Sequence, residues 1–571
     1  MLFGLACLAF VGSSAEAEGP FISSLVPQAG GGWIATVGGI GASEGGLELR
    51  IDGARVDAAR DAAPGVAFSI PPSVPIADGS RLELRRRGGA WAAISLAPSA
   101  KGRPEWASWT IYEVSLEMFA NGDPGNDAQI RGSRHPRYAG GDLRGLLERA
   151  DYLRELGVDA VLLSSPLQAG SSHGHDVESY YRVSDAVGVP ADAEASLALF
   201  REVRLALAQR GIRTLVELPL LRASAAYDRE RADPLGLQPR FASPRRKAER
   251  GIASTASALL AWDLDHAATR EYLRQVALYW LREERVDGLR LGPAQEAPAD
   301  FWGELHRVVK SARQEAFLLG DCRSAGGDGP AGPDGSAACE VTPPGRPRLF
   351  DSVLDLSLQA LLREAFAGDG SLAEAELWLQ RRAAIGGPGT FPTASVDDQD
   401  LARLVDRGAS RDALVAAVGY LATLDGPTTI LYGSESALAA GETRQGAMSD
   451  GRLPMPWSAL DRDLGERVAA LLRALRPHSA ARSEARLPLL VEDRALVVAK
   501  LAEDETLLVG VNLGQSPREV VLETGALLPA GSDLAPVVGA SPARVDAEGR
   551  LYWVLPPTAT VVAGLTARPP G

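Results

Sequence analysis

Cysteine, lysine, net positive charge and long apolar runs are all scarce in this sequence of 571 residues. Acidic side chains outnumber basic ones, 73 to 59, for a formal net charge of −14. That balance argues against a nucleic-acid partner, because phosphate binding needs a basic face. Lysine occurs only at Lys101, Lys247, Lys310 and Lys500, while arginine is abundant. The N-terminal apolar run, residues 2–11, is too short to cross a bilayer, so no transmembrane span is expected. No internal repeat of solenoid length is present. Cysteine is limited to Cys7, Cys322 and Cys339.

What is there is the composition of a globular protein, 46% hydrophobic and 23% charged, long enough for several domains around one large core. The apolar run leads into Gly12-Ser13-Ser14-Ala15-Glu16-Ala17. Ala15 and Ala17 fit the small-x-small pattern of secretory cleavage, although no Lys or Arg precedes the run. A signal peptide over residues 1–17 and export, to a periplasm or the extracellular medium, are the expectation. Cys322 and Cys339 then remain, flanking a Gly/Pro/Asp-rich loop over 323–338. A disulfide closing that loop suits an exported chain, two separate thiols being the other reading.

Along the chain, residues 18–100 carry alternating segments at 33–37, 47–51 and 81–85 between Gly- and Pro-rich turns, and read as a small β-sandwich. Lys101-Gly102-Arg103-Pro104 is a linker. From 105 to 478 short apolar runs at 110–116, 159–164, 212–218, 286–291, 316–320, 352–356, 390–396 and 428–432 alternate with helical patterns. Helices are expected over 142–156, 193–210, 267–285 and 299–316. Eight strands with intervening helices predict a (β/α)8 TIM barrel, interrupted after its third strand by a polar insertion at about 221–260. Strands return over 479–571, at 487–491, 495–501, 506–512, 519–522 and 552–555, as a second β-sandwich.

Residues 286–294 form the pivotal stretch. Val286, Leu289 and Leu291 are apolar, Arg290 interrupts them, and Gly292-Pro293 ends the strand. A buried strand that includes an Arg needs a carboxylate beside it, because an unpaired buried charge is very costly.

Three motifs stand out, Phe119-Ala120-Asn121-Gly122-Asp123-Pro124-Gly125-Asn126-Asp127, Tyr138-Ala139-Gly140-Gly141-Asp142-Leu143, and Leu156-Gly157-Val158-Asp159-Ala160-Val161. His173-Gly174, Tyr180-Tyr181, Trp262-Asp263-Leu264, residues 286–290 and Leu431-Tyr432-Gly433-Ser434-Glu435 follow them in order. In these segments the chain resembles glycoside hydrolase family 13, the α-amylase superfamily, and within it the neopullulanase/cyclomaltodextrinase branch. This resemblance implies a sandwich–barrel–sandwich layout and an α-glucan or maltooligosaccharide ligand, and a homodimer is compatible with it. It also implies a structural calcium held by Asn121, Asp123, Asn126, Asp127, the Gly140 carbonyl and Asp142, a set of hard oxygen donors. A metal-free turn is the other reading of the same residues.

The resemblance also assigns the catalytic positions. Retaining hydrolysis of α-glucans needs a carboxylate nucleophile and a carboxylic acid about 5–5.5 Å apart. The family's nucleophile stands two residues after the Arg of the fourth strand, and that position is Gly292. Its general acid follows Leu318-Leu319-Gly320, where Asp321 replaces the usual Glu and sits about an ångström back. Its third acid is Asp400, preceded by Gln399 in place of the substrate-binding His, with Arg403 retained. Glu217 and Arg222 occupy the third-strand positions of an Asp and a His. His175 replaces a sugar-stacking Tyr beside His173, in a chain with only 6% aromatic residues. Arg290, His173, His175, Gln399 and Arg403 are thus the expected substrate contacts, and Asp321 and Asp400 the remnant acids. Asp400 or Asp321 is the expected partner of Arg290.

The sequence admits three functions. The first is a catalytically impaired or non-catalytic glucan-binding family member. The second is an active hydrolase or transferase with relocated carboxylates, drawn from Asp287, Glu296, Asp321, Asp397 and Asp398. The third is a protein-interaction scaffold, its barrel mouth filled by Arg222 and the basic residues Arg240, Arg245, Arg246 and Lys247.

Overall fold

A computed structural model describes residues 21–27, 33–38, 47–56, 59–61, 66–71, 74, 80–86, 89–96, 103–130, 137–227, 234–242, 259–322, 348–386, 390–440, 451–525, 527–539 and 541–566. The proposed leader at 1–17, Cys339, the basic residues Arg245, Arg246 and Lys247, and much of the insertion lie outside the described residues.

The centre of the molecule is a parallel sheet. Its strands in chain order are Thr110–Val114, Ala160–Leu163, Arg213–Leu218, Gly288–Leu291, Phe317–Gly320, Ser352–Val353 and Thr428–Leu431. Neighbouring strands pair in parallel, and the last returns to the first through Thr429 against Ile111. Two further parallel bridges, Leu354 with Thr393 and Ala394 with Thr428, supply the seventh stave of the barrel and close it. Closure buries both faces of each strand, so these segments read as continuous apolar runs instead of alternating ones. The expected (β/α)8 barrel is therefore present. Charged residues inside such strands are exceptions, and Glu113, Glu217 and Arg290 are three of them.

Helices Ala193–Gln209, Ala267–Arg282 and Ala299–Ala312 pack outside the barrel. The helix expected over 142–156 is instead two, Leu143–Glu148 and Ala150–Leu156. Arg149, at φ −99° and ψ 7°, tightens the turn between them and donates to Leu146 O at 3.1 Å. Gly157 then ends the second at φ +84°, a left-handed conformation open to glycine.

The N-terminal sandwich is two antiparallel four-stranded sheets. The C-terminal domain is an eight-stranded antiparallel arrangement from Arg486–Val491 to Ala559–Thr566. Ile22, Leu25 and Leu82 of the first and Leu487, Leu508 and Trp553 of the second share one apolar core. Gln380, on a barrel helix, clasps the backbone of Ile22 through both amide atoms, at 2.9 and 2.8 Å. The two sandwiches thus meet each other and the barrel.

Candidate functional site

Arg290 lies in the middle of the fourth barrel strand with its side chain 3% exposed. Parallel pairing sets Glu217 directly beside it, since Glu217 and Arg290 are register partners. Its Nη1 meets Glu113 Oε1 at 2.6 Å, and its Nη2 and Nε meet Asp321 Oδ2 at 2.6 and 3.2 Å. Glu217 Oε1 stands 4.0 Å from Nε. Burial opposes the charge of Arg290, but Glu113, Asp321 and Glu217 more than offset it and raise its pKa well above the ordinary value. Of the two carboxylates expected for Arg290, Asp321 is there, whereas Asp400 pairs with Arg452 at 2.7 Å.

The carboxylates respond to this crowding in different ways. Burial raises Glu113 and Asp321 to about 7 against the pull of Arg290, with Asp398 and Glu217 adding to the rise. Burial also acts on Glu217, yet His175 and Arg290 outweigh it and hold this carboxyl far below the usual range. His175 Nε2 is 3.4 Å from Glu217 Oε1; burial opposes the charge on His175, but Glu217 outweighs it and lifts the pKa. His173 is lowered to about 4 by burial and by the neighbouring His175 ring, 5.4 Å away. Asp400 is raised by the crowding of its neighbours, Asp398 among them, with Arg452 opposing, although its side chain stays 43% exposed.

Gly292 has no space for a side chain. A Cβ built there would lie 2.7 Å from Asp321 Cβ and 3.0 Å from Asp321 O. The contact is fixed by backbone bonds on both sides, Asp321 N to Leu291 O at 2.8 Å and Ala294 N to Asp321 O at 2.7 Å. Asp321 thus stands against residue 292 and pairs with Arg290 at once.

Other polar side chains named from the sequence also have partners. Arg222 Nη2 meets Glu296 Oε2 at 2.6 Å. Asp397 accepts from Ser434 Oγ and Leu404 N, both at 2.6 Å. Asp287 sits at the opposite end of its strand, bonded to Thr214 N at 2.9 Å and to Arg313 at 3.1 Å. His173 Nε2 is 3.0 Å from Ser171 Oγ.

Comparison with known proteins gives this arrangement its context. Residues 113–218 match the family model described as the α-amylase catalytic domain. A cyclomaltodextrinase of a Bacillus species is 26% identical over 72% of this chain and 73% of its own length. Neopullulanase 2 of Thermoactinomyces vulgaris is 28% identical over 63% and 61%. A solved cyclomaltodextrinase structure superposes with a TM-score of 0.67 at 20% identity, over 95% of this chain and 98% of that one. Over most of its length the chain resembles α-amylase-family enzymes.

Against this resemblance several positions take on a different meaning. Arg403, expected to touch substrate, is fully buried and donates to the carbonyls of Gly451 at 2.9 Å and Tyr432 at 2.7 Å. It holds loops together instead. Gln399 is buried as well, its carbonyl accepting from Gly451 N at 2.9 Å. Asp287 and Glu296 do not approach Gly292, the first for its place at the far strand end, the second because Arg222 holds it. Arg240 takes part through its backbone, its N donating to Thr269 Oγ1 at 2.9 Å. Glu113 and Arg452 are the residues that motif reading missed. Glu113 carried a signal, a lone charge in an otherwise apolar buried strand, the same feature that marked Arg290.

The expected calcium loop is built around Gly140 at φ +71°. A Cβ there would lie 2.3 Å from Asn121 Nδ2 and 2.4 Å from Asp127 Oδ1, so the glycine allows both side chains to close in. Asn126 Oδ1 is buried and has no hydrogen-bond partner, as an oxygen awaiting a ligand would be. Asp142 does not fit the expectation. It caps the helix beginning at Leu143 through Gly145 N at 2.7 Å and takes Asp123 N at 2.8 Å. Among the described residues no group of three or more His, Cys, Asp or Glu side chains is arranged to hold a metal. Among them, too, no helix is long and apolar enough to cross a membrane. Cys322 is disulfide-bonded.

Proposed function

We propose that this α-amylase-family chain does not carry out the family's double displacement and that its barrel mouth serves as a non-hydrolytic binding site for α-glucan chains. The observation that carries this is the contact between Gly292 and Asp321. No side chain fits at 292, and Asp321 commits its carboxylate to Arg290 instead of standing free as an acid. Without a nucleophile no glycosyl intermediate forms, a loss that typically costs several orders of magnitude in rate. Relatives named for cyclomaltodextrin and pullulan support an α-glucan as the ligand. Calorimetry with maltoheptaose and a reducing-sugar assay on the same preparation test it. Binding without release of reducing ends is the expected result, and steady turnover would sink the reading.

The glucan-binding reading includes a structural calcium at Asn121, Asn126, Asp127 and the Gly140 carbonyl, with Asp123. The all-oxygen donor set and the orphaned Asn126 Oδ1 support it. Export is part of it too, and the disulfide at Cys322 supports that. A second reading, a docking site for a protein partner, is favoured by one observation. The pairs Arg222–Glu296, Arg452–Asp400 and His175–Glu217 bring matched charge to this end of the barrel. Absence of maltoheptaose binding at millimolar concentration would move the balance to it.

A further inference from the structure

Among the described residues six large apolar side chains stand well exposed, and three of them converge on one face. Val521, Tyr552 and Val554 are 56%, 42% and 46% exposed, all on the outer side of the C-terminal domain. The other three, Leu205, Leu235 and Ile385, lie apart, two on different helices and one in the insertion. Apolar residues scattered singly are ordinary, whereas a cluster marks a contact surface.

Alternation along the strands builds this face. In strand Arg550–Leu555 the side chains of Leu551, Trp553 and Leu555 enter the core shared by the two sandwiches, so Arg550, Tyr552 and Val554 point outward. Antiparallel register extends the face on both sides. Tyr552 is paired with Val521 of strand Arg518–Glu523 and with Arg544 of strand Ala543–Val545. Glu519 lies beside Val554, and Glu523 beside Arg550. Two carboxylates therefore flank the apolar centre on one side, and a guanidinium flanks it on the other. Glu519 and Glu523 form no ion pair with a described residue. Arg544 reaches Asp533 at 3.8 Å with the two side chains 75% and 85% exposed, a pair that contributes little in water.

We propose that a second copy of this chain covers this face, the two sheets stacking about a twofold axis along strand Arg550–Leu555. Tyr552 and Val554 of each copy then rest on their counterparts. The acidic strand of one copy lies over Arg544 of the other, on both sides of the axis, so the surface is its own complement. Asp533 falls one strand farther out, beyond the edge strand of the second copy. Arg550, near the axis, is neutralised within its own chain by Asp546 at 2.8 Å. The charged residues Arg518, Glu519 and Glu523 guard the sheet edge against strand addition, which leaves the face as the contact. Strands about 4.8 Å apart, rising about 3.4 Å per residue, make the face roughly 20 Å on a side. That buries less than a standard interface of about 1,600 Å², so the dimer is a weak one, formed at micromolar concentration.

Sedimentation velocity of the full chain tests this between about 1 and about 100 µM. The average mass is expected to rise from one chain toward two across that range. Tyr552→Glu, a substitution at an exposed position, stays a single chain throughout. Glu519→Arg combined with Glu523→Gln sets like charge against Arg544, and Arg544→Glu sets it against the unchanged acids. Each of these two variants alone associates about tenfold more weakly, or less. An equimolar mixture of the two restores dimers to the wild-type level, because every contact regains opposite charges. A wild type that stays a single chain at all concentrations, dimers undiminished by Tyr552→Glu, or a mixture no better than its components would each overturn the proposal. Retention on insoluble amylose that Tyr552→Glu loses, with a wild type of single-chain mass, would overturn it too and give the face to a sugar chain.

Discussion

Gly292→Asp returns a carboxylate to the position where the α-amylase family keeps its nucleophile, and the local geometry determines the cost. The new Cβ begins 2.7 Å from Asp321 Cβ. Non-bonded carbons rest at about 3.5–4.0 Å, so one strand end must shift by about an ångström. Asp321 is pinned by two backbone hydrogen bonds and by Arg290, so the shift is resisted. Overpacking of this kind costs about 1–3 kcal/mol. The added anion also joins Glu113 and Asp321, both already lifted to about 7, beside a single arginine. The expected loss is about 3 kcal/mol in a denaturant titration, with Gly292→Ala showing the steric part, roughly 1–3 kcal/mol, by itself. Maltooligosaccharide hydrolysis stays at background in both variants. The double substitution Gly292→Asp with Asp321→Gly relieves the clash and recovers stability. Parent-like stability in both Gly292→Ala and Gly292→Asp, or maltooligosaccharide hydrolysis by Gly292→Asp, would refute this reading of the contact.

Arg290→Gln leaves Glu113 and Asp321 buried without their counter-charge, so a loss of about 3–5 kcal/mol is expected by denaturation, and a loss under about 1 kcal/mol would contradict the network. Asp321 titrates at about 7 in the folded chain against about 3.9 unfolded, so the folded state holds the extra proton between those values. Stability from this group accordingly falls as pH rises from about 4 to about 7, and the wild type loses ground to Asp321→Asn across that window; the opposite slope would refute the assignment. If the loop around Gly140 holds calcium, chelation lowers the melting temperature of the wild type and leaves Asp127→Ala unmoved.

The barrel was legible because burial on both faces writes itself as uninterrupted apolar runs, and seven of the eight expected runs contain the observed strands. The seventh, at 390–396, reduces to two bridges, since pattern cannot show how many residues actually pair. The helix break at Arg149 was hidden because Arg149 is a good helix former, and only tertiary context bends the chain there. The absence of a carboxylate at the nucleophile position was visible as Gly292. The pairing of Asp321 with Arg290 was among the expectations; hidden from the sequence were the tight approach of Asp321 to residue 292 and Glu113 reaching Arg290 from the first strand. Arg403 misled because a motif position does not say whether a side chain faces the mouth or the interior.

The central claim, that no glycosyl intermediate forms in this barrel, is tested most directly by intact-mass measurement after incubation with a fluorinated maltosyl fluoride that traps such intermediates. An unchanged mass and no release of fluoride above the buffer rate are the predicted result. A stoichiometric gain of one glycosyl unit, at Asp321 or any other carboxylate of the mouth, would contradict it.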